Sequence, residues 1–326
     1  MSECESFTKI FLGPKLLRLI EMSIQRQECP TICICSHDAG GAEILSSYVQ
    51  QYGLKPIYAL EGPALKIFQR KLGAINNQTL AEAINESDEL LCGTSWQSDL
   101  EWRAIGLARK QKKNTAAFLD HWVNYRERFI RNSQEHLPDQ IWVGDLDGEK
   151  IAREIFNNTN IKVLPNPYFE EIRLQLQTLV SVYEESQGLR VLYVCEPIRE
   201  HALKEYGNER FWGYTEEEAL RYFLSNVSKL NRAISEIVIR PHPSESYEKY
   251  IWAIKEFADL PIRQGGQSTL LQEIVVCDMV VGCESMALVV GLLAERRVIS
   301  TIPPGGKPLS LPQRGIESFT ELTQTK

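Results

Sequence analysis

The segment Thr31–Tyr52, TICICSHDAGGAEILSSYVQQY, decides how the whole chain is read. It opens on a short apolar run rich in β-branched residues and closes on apolar positions that recur with helical spacing. Between them stand His37, Asp38, Gly40 and Gly41. A strand therefore stops, turns on two glycines and becomes a helix. This is the first unit of a parallel α/β sheet, whose ligands meet residues just past the strand ends.

The same alternation continues outward. Apolar runs at 31–36, 55–60, 89–95, 114–120, 140–145 and 161–166 read as strands, with helices over 41–52, 63–71, 98–111 and 147–157 between them. After Pro165-Asn166-Pro167 a helix is expected over 168–186, and the pattern restarts at Gly188. Strands then fall at 190–196, 236–242, 260–264, 279–283 and 297–301, and helices at 215–230, 246–257, 268–277 and 284–295. The expected fold is two Rossmann-like doubly wound domains facing a cleft, an N-terminal one over 1–166 and a C-terminal one over 167–326. The paired prolines at 165 and 167 are the expected hinge.

A length of 326 residues suits two such cores. A net charge of −7 argues against a general electrostatic grip on nucleic acid, so any anion must be held locally. Residues 1–20 carry charges throughout and read as no secretory signal, and no run approaches the ~20 apolar residues of a membrane span. A cytoplasmic location is expected, with peripheral membrane association left open. Of the eight cysteines, Cys29, Cys33 and Cys35 lie close together without a second pair to complete a zinc site, so they read as small buried hydrophobes.

Function is sought at the strand ends. In the first half these carry His37-Asp38, Glu61-Gly62, Thr94-Ser95-Trp96, Asp120-His121-Trp122 and Asp145, a density of proton acceptors that turns alone do not require. Gly40 and Gly41 let backbone approach a substrate. The run from Asp120 to Phe129 adds Asn124 and Arg128; it reads either as substrate-binding or as an amphipathic helix with Trp122, Tyr125 and Phe129 inward.

In the second half, EIVIRPHPSES places Arg240 and His242 at a strand end, followed by a helix opening at Ser244-Glu245, a setting for phosphate. In VVGCESMALVVGLLAE, Gly282 permits close approach, while Glu284 and Ser285 suit ribose hydroxyls or phosphate oxygens. Glu196-Pro197-Ile198-Arg199 supplies another guanidinium. The loop IPPGGKPLSLP, 302–312, reads as a surface connection in preference to a border of the cleft. Asp145 and Asp147 are the nearest approach to a DxD pair, so neither metal nor cofactor is expected.

With these residues in place, the chain resembles the GT-B-fold glycosyltransferases and their relatives, the hydrolysing nucleotide-sugar 2-epimerases. RPHPSE is similar to the His-Pro element of bacterial sialyltransferases, polysialyltransferases and polyglycerophosphate transferases, whose histidine contacts the donor phosphate. The stretch from Thr269 to Ser300 is similar to the donor-site helix–strand–helix of the fold. The resemblance implies a glycosyltransferase of glycan or surface polysaccharide biosynthesis, inverting and metal-independent, with a CMP-, UDP- or CDP-linked sugar as donor and a saccharide or other hydroxyl as acceptor. It implies donor phosphate at His242 and nucleotide at Glu284 and Ser285. Its general base comes from the first half: Asp38 first, with His37 or Asp120 as alternatives. A 2-epimerase and a non-catalytic nucleotide- or sugar-binding protein are the competing readings.

Overall fold

The computed structural model describes residues 30–96, 98–179 and 188–324. It contains two six-stranded sheets in which every strand pairing is parallel, plus one small antiparallel pair. The expected fold class, two Rossmann-like doubly wound units facing a cleft, is the one observed.

The first sheet is built from β1 (Ile32–Ser36), β2 (Ile57–Leu60), β3 (Glu89–Cys92), β4 (Asn114–Leu119), β7 (Gln140–Val143) and β8 (Asn160–Val163); β5 (Ile130–Arg131) and β6 (Gln134–Glu135) form the antiparallel pair. Its order is β2-β1-β3-β4-β7-β8. The chain thus reverses its direction of travel across the sheet between β1 and β3, and open α/β sheets form their ligand crevice at such a point. Cys33 and Cys35 point to one face, packed with Ala104, Ile105 and Ala108; Ile34 points to the other, packed with Leu45, Val49 and Phe68. This two-sided burial explains why the strands read as continuous apolar runs. The six described cysteines are free and buried; Cys4 and Cys29 lie outside the described residues.

The second sheet uses β9 (Leu189–Val194), β10 (Ile234–Arg240), β11 (Ile262–Gln264), β12 (Met279–Gly282), β13 (Arg297–Ser300) and β14 (Ile316–Ser318) in the order β11-β10-β9-β12-β13-β14, with its reversal between β9 and β12. The helix Pro167–Thr178 opens at the proline pair, where Asn166 Oδ1 accepts the Tyr168 N–H at 3.0 Å. The part of the expected 168–186 helix beyond 179 lies outside the described residues.

Several elements differ from the sequence expectation. A helix at Leu80–Glu86 was not expected, although Thr79 and Glu82 form a complete capping box. The helix expected from 246 begins at Ile251, so no helix opens at Ser244-Glu245. Residues 120–129 form irregular turns with one 3-10 turn at Glu127–Phe129, yet Trp122, Tyr125 and Phe129 are all buried. Asn124 has φ 56°, a left-handed conformation that a helix interior does not contain. Among the described residues no helix is long and apolar enough to cross a membrane.

The carboxyl ends of the sheets face each other. Trp122, just past β4, belongs to the same buried cluster as Leu288, Val289 and Leu311 of the second half. His121 lies within electrostatic reach of Glu284 and Lys307.

Candidate functional site

The reversal point of the first sheet gathers residues from three strand ends. Asp38 precedes the helix Ala39–Tyr52 but does not cap it with its side chain. Its Oδ1 lies 2.7 Å from His37 Nδ1, and its Oδ2 accepts the Trp96 N–H at 2.7 Å. Burial pushes the Asp38 carboxyl up, but these hydrogen bonds outweigh it and hold the pKa below the ordinary value. An ionised carboxylate only accepts, so His37 Nδ1 carries a proton in this pair, and in the neutral ring it is Nε2 that keeps the lone pair. The imidazole lies over Gly62, where an added Cβ would meet Nε2 at 2.5 Å.

Behind this pair is Glu101, which the sequence reading missed. Its Oε1 accepts the His37 N–H at 2.7 Å, its Oε2 is buried without a partner, and burial raises its pKa to about 7. The signal was present: Glu101 shares a helical stripe with Ala104, Ile105 and Ala108, a carboxylate on an otherwise apolar face.

Asp120 stands against Gly40, where an added Cβ would come 2.0 Å from Asp120 Oδ2. Its Oδ1 pairs with Arg128 at 2.6 Å, and the same guanidinium nitrogen donates to Thr94 Oγ1 at 3.0 Å. Both side chains of this ion pair are largely buried. Gly41 approaches the backbone of Gly93. The two glycines therefore bring the helix against neighbouring strand ends, where the sequence reading had them bring backbone to a substrate. Asn124 is an exposed turn residue whose carbonyl accepts the Arg128 N–H at 3.3 Å. His121 Nδ1 accepts the Trp122 N–H at 3.0 Å, so the neutral ring carries its proton on Nε2; burial holds its pKa below the ordinary value. Asp145 accepts from Gly148 N–H at 2.6 Å and from Trp122 Nε1 at 3.0 Å, which makes it a helix cap and a support for Trp122.

The second half is organised differently. His242 Nδ1 accepts the Ser244 N–H at 3.2 Å and lies 2.7 Å from Ser244 Oγ. Its proton is therefore on Nε2, and burial lowers its pKa. Glu245 holds the loop by accepting the His242 N–H at 2.9 Å and the Tyr250 O–H at 2.8 Å, and it pairs with Lys249 at 2.7 Å. Arg240 is spent on Glu273 at 2.6 Å and the Ser268 carbonyl at 2.9 Å. Arg199 is a half-exposed partner of Glu217 at 3.0 Å.

At the reversal point of this sheet, Glu196 accepts the Glu284 N–H at 2.8 Å and bonds the amides of Cys283 and Ser285. Burial raises the pKa of Glu196 to about 7. The amides of this corner are thus held by a carboxylate of the protein itself. Gly282 is tight for an internal reason too: an added Cβ would lie 2.7 Å from Val194 Cγ2 on β9. Ser285 caps the helix Met286–Leu293, accepting the Ala287 N–H at 3.2 Å. The loop 302–312 borders the cleft and is not a mere surface connection, because Lys307 pairs with Glu284 and the Ser310 hydroxyl donates to Glu284 Oε2 at 2.9 Å.

No protein-family model matches the chain, and no curated protein matches it in sequence. Solved structures do match. The UDP-GlcNAc 2-epimerase from Neisseria meningitidis bound to UDP-GlcNAc superposes with a TM-score of 0.60 at 9% identity, covering 90% of this chain and 88% of that one. The UDP-GlcNAc 2-epimerase from Methanocaldococcus jannaschii gives 0.57 at 11% identity, covering 90% of each chain. The glycotransferase of kitacinnamycin gives 0.52 at 10% identity, covering 91% and 87%. What these likenesses define is the fold: the two facing Rossmann-like domains common to glycosyltransferases and nucleotide-sugar 2-epimerases.

Proposed function

We propose that this protein is a glycosyltransferase of the GT-B type, moving a sugar from a nucleotide-activated donor to a hydroxyl acceptor by a single, metal-independent displacement. The observation that carries this reading is the pair of opposite partners at the two histidines: His37 Nδ1 faces the Asp38 carboxylate at 2.7 Å, whereas His242 Nδ1 accepts the Ser244 N–H at 3.2 Å. His37 presents a lone pair on Nε2, the form a general base needs; His242 presents an N–H, the form a phosphate oxygen needs.

In this reading His37 Nε2 takes the acceptor hydroxyl's proton as that oxygen bonds the anomeric carbon. The bond from that carbon to the phosphate oxygen breaks, and the charge left on the nucleotide is met by His242 Nε2–H. Asp38 fixes the His37 tautomer and offsets the imidazolium charge, so its role is positioning. Asp120, bound to Arg128 and packed on Gly40, shapes the floor of the site. The donor is CMP-, UDP- or CDP-linked, in keeping with the His-Pro resemblance and with the UDP-GlcNAc carried by the neisserial neighbour.

The fold is shared with 2-epimerases, so epimerisation is the second reading. The carboxylates it would recruit, Asp38, Asp120 and Asp145, are each engaged within the protein, which favours transfer. A thermal-shift screen of CMP, CDP, UDP, GDP and TDP tests the donor site, because a ligand that binds the folded state adds stability. A response to none of the five overturns the proposal. With the sugar form of a responding nucleotide, appearance of epimerised free sugar in the absence of acceptor would establish the second reading instead.

A further inference from the structure

The second half leaves few groups able to meet a phosphate. Arg240 is held by Glu273 and a carbonyl, Lys249 by Glu216 and Glu245, and the amides of 283–285 by Glu196. Lys307 is placed differently. Its ammonium lies 4.5 Å over the Trp212 ring and pairs with Glu284, and the Lys307 and Glu284 side chains remain 28% and 18% exposed. Glu284 is independently secured by the Ser310 hydroxyl, so it keeps a partner if Lys307 turns away.

The loop is built to aim this side chain. Lys307 N–H donates to the Trp212 carbonyl at 2.9 Å. Gly213 and Gly305 both take left-handed φ values, 87° and 85°, and an added Cβ on Gly213 would lie 2.5 Å from the Gly305 carbonyl. The 302–308 backbone is therefore pinned to 212–213 while the ammonium stands toward Glu284. From the other half, His121 senses both charges and presents Nε2–H. His121 of the first half and Lys307 of the second are thus within electrostatic reach of each other.

We propose that Lys307 is the cation that binds the phosphate of the nucleotide, with Glu284 as the partner that the phosphate replaces. This rests on the nucleotide-sugar reading above and adds to it the residue that reads the anion. An ammonium held over an aromatic ring by one carboxylate exchanges that carboxylate for a more highly charged phosphate without new desolvation of the lysine. The Glu284 carboxylate was expected to meet the nucleotide; here it instead orients the group that does.

Calorimetric titration of the full chain with CMP, CDP, UDP, GDP and TDP, and with the five parent nucleosides, tests this. Wild type is expected to bind at least one nucleotide, and Lys307→Met to bind it ~10–100-fold more weakly while nucleoside affinity stays within about two-fold. Lys307→Arg restores most of the loss, and the salt dependence of nucleotide binding is shallower in Lys307→Met. Unchanged nucleotide affinity in Lys307→Met, or an equal loss for nucleotide and nucleoside, overturns the assignment and leaves the donor reading standing. A wild-type chain that binds none of the five nucleotides overturns both.

Discussion

The two sheet reversal points solve one problem in two ways. Each carries a buried carboxylate whose pKa rises to about 7 and which accepts backbone N–H groups of its own corner: Glu101 takes the amide of His37, and Glu196 takes the amides of 283–285. In the first half that support fixes the backbone of His37, whose ring bonds Asp38 through Nδ1 and lies over Gly62. In the second it fills the amide cradle, and the proposed phosphate contacts therefore fall to the side chains of His242 and Lys307. In the proposed function the first half supplies the proton acceptor and the second half the anion binder, and the direction of the hydrogen bonds at His37 and His242 distinguishes the two. Which atom of a ring is already bound decides what the other can do.

The comparison breaks most visibly at His37. Replacing it with Ala is expected to lower kcat by ~10²–10⁴-fold with nucleotide affinity unchanged, measured by steady-state transfer and titration; a loss under ten-fold would move the base elsewhere. Next in size is Asp120→Ala, which strands the buried Arg128 guanidinium and should destabilise the fold by about 3–5 kcal/mol in urea denaturation. A change below ~1 kcal/mol would mean the pair is open to water.

The buried glutamates give a pH signature. Their carboxyls ionise near 4.5 when unfolded but near 7 when folded, so the folded state binds the extra protons and stability falls as pH rises from about 4.5 to 7, then levels. Each site contributes on the order of 3 kcal/mol. Glu101→Gln should remove about half of that slope, read from unfolding free energies at pH 5 and 8; an unaltered slope would show that Glu101 titrates normally. The smallest effect concerns affinity. His242→Ala should weaken nucleotide binding ~10-fold without lowering nucleoside affinity, as expected for one lost hydrogen bond to a charged group; equal losses for both would assign His242 to the loop's structure.

The parallel sheets were legible because strands buried on both faces read as short apolar runs, and TICICS and MVVG announce themselves that way. The strand-end histidines were legible for the same reason. Their tautomers were not, since those depend on Asp38 and Ser244 taking particular rotamers in folded loops. Nor was it legible that Glu196 closes on the Glu284 amide 88 residues away, or that Arg240 at the end of β10 meets Glu273 on the helix Leu270–Val276. Glu101 is the exception, visible in principle as a charge on an apolar stripe. The loop 302–312 misled because prolines and glycines mark irregularity without saying which side of the molecule it covers.

The opposite tautomers are the central claim, and nitrogen-15 NMR of histidine-labelled protein near neutral pH reads them directly, with His37→Gln and His242→Gln used for assignment. The account predicts a neutral His37 ring protonated on Nδ1 and a neutral His242 ring protonated on Nε2. The same tautomer at both positions would contradict it.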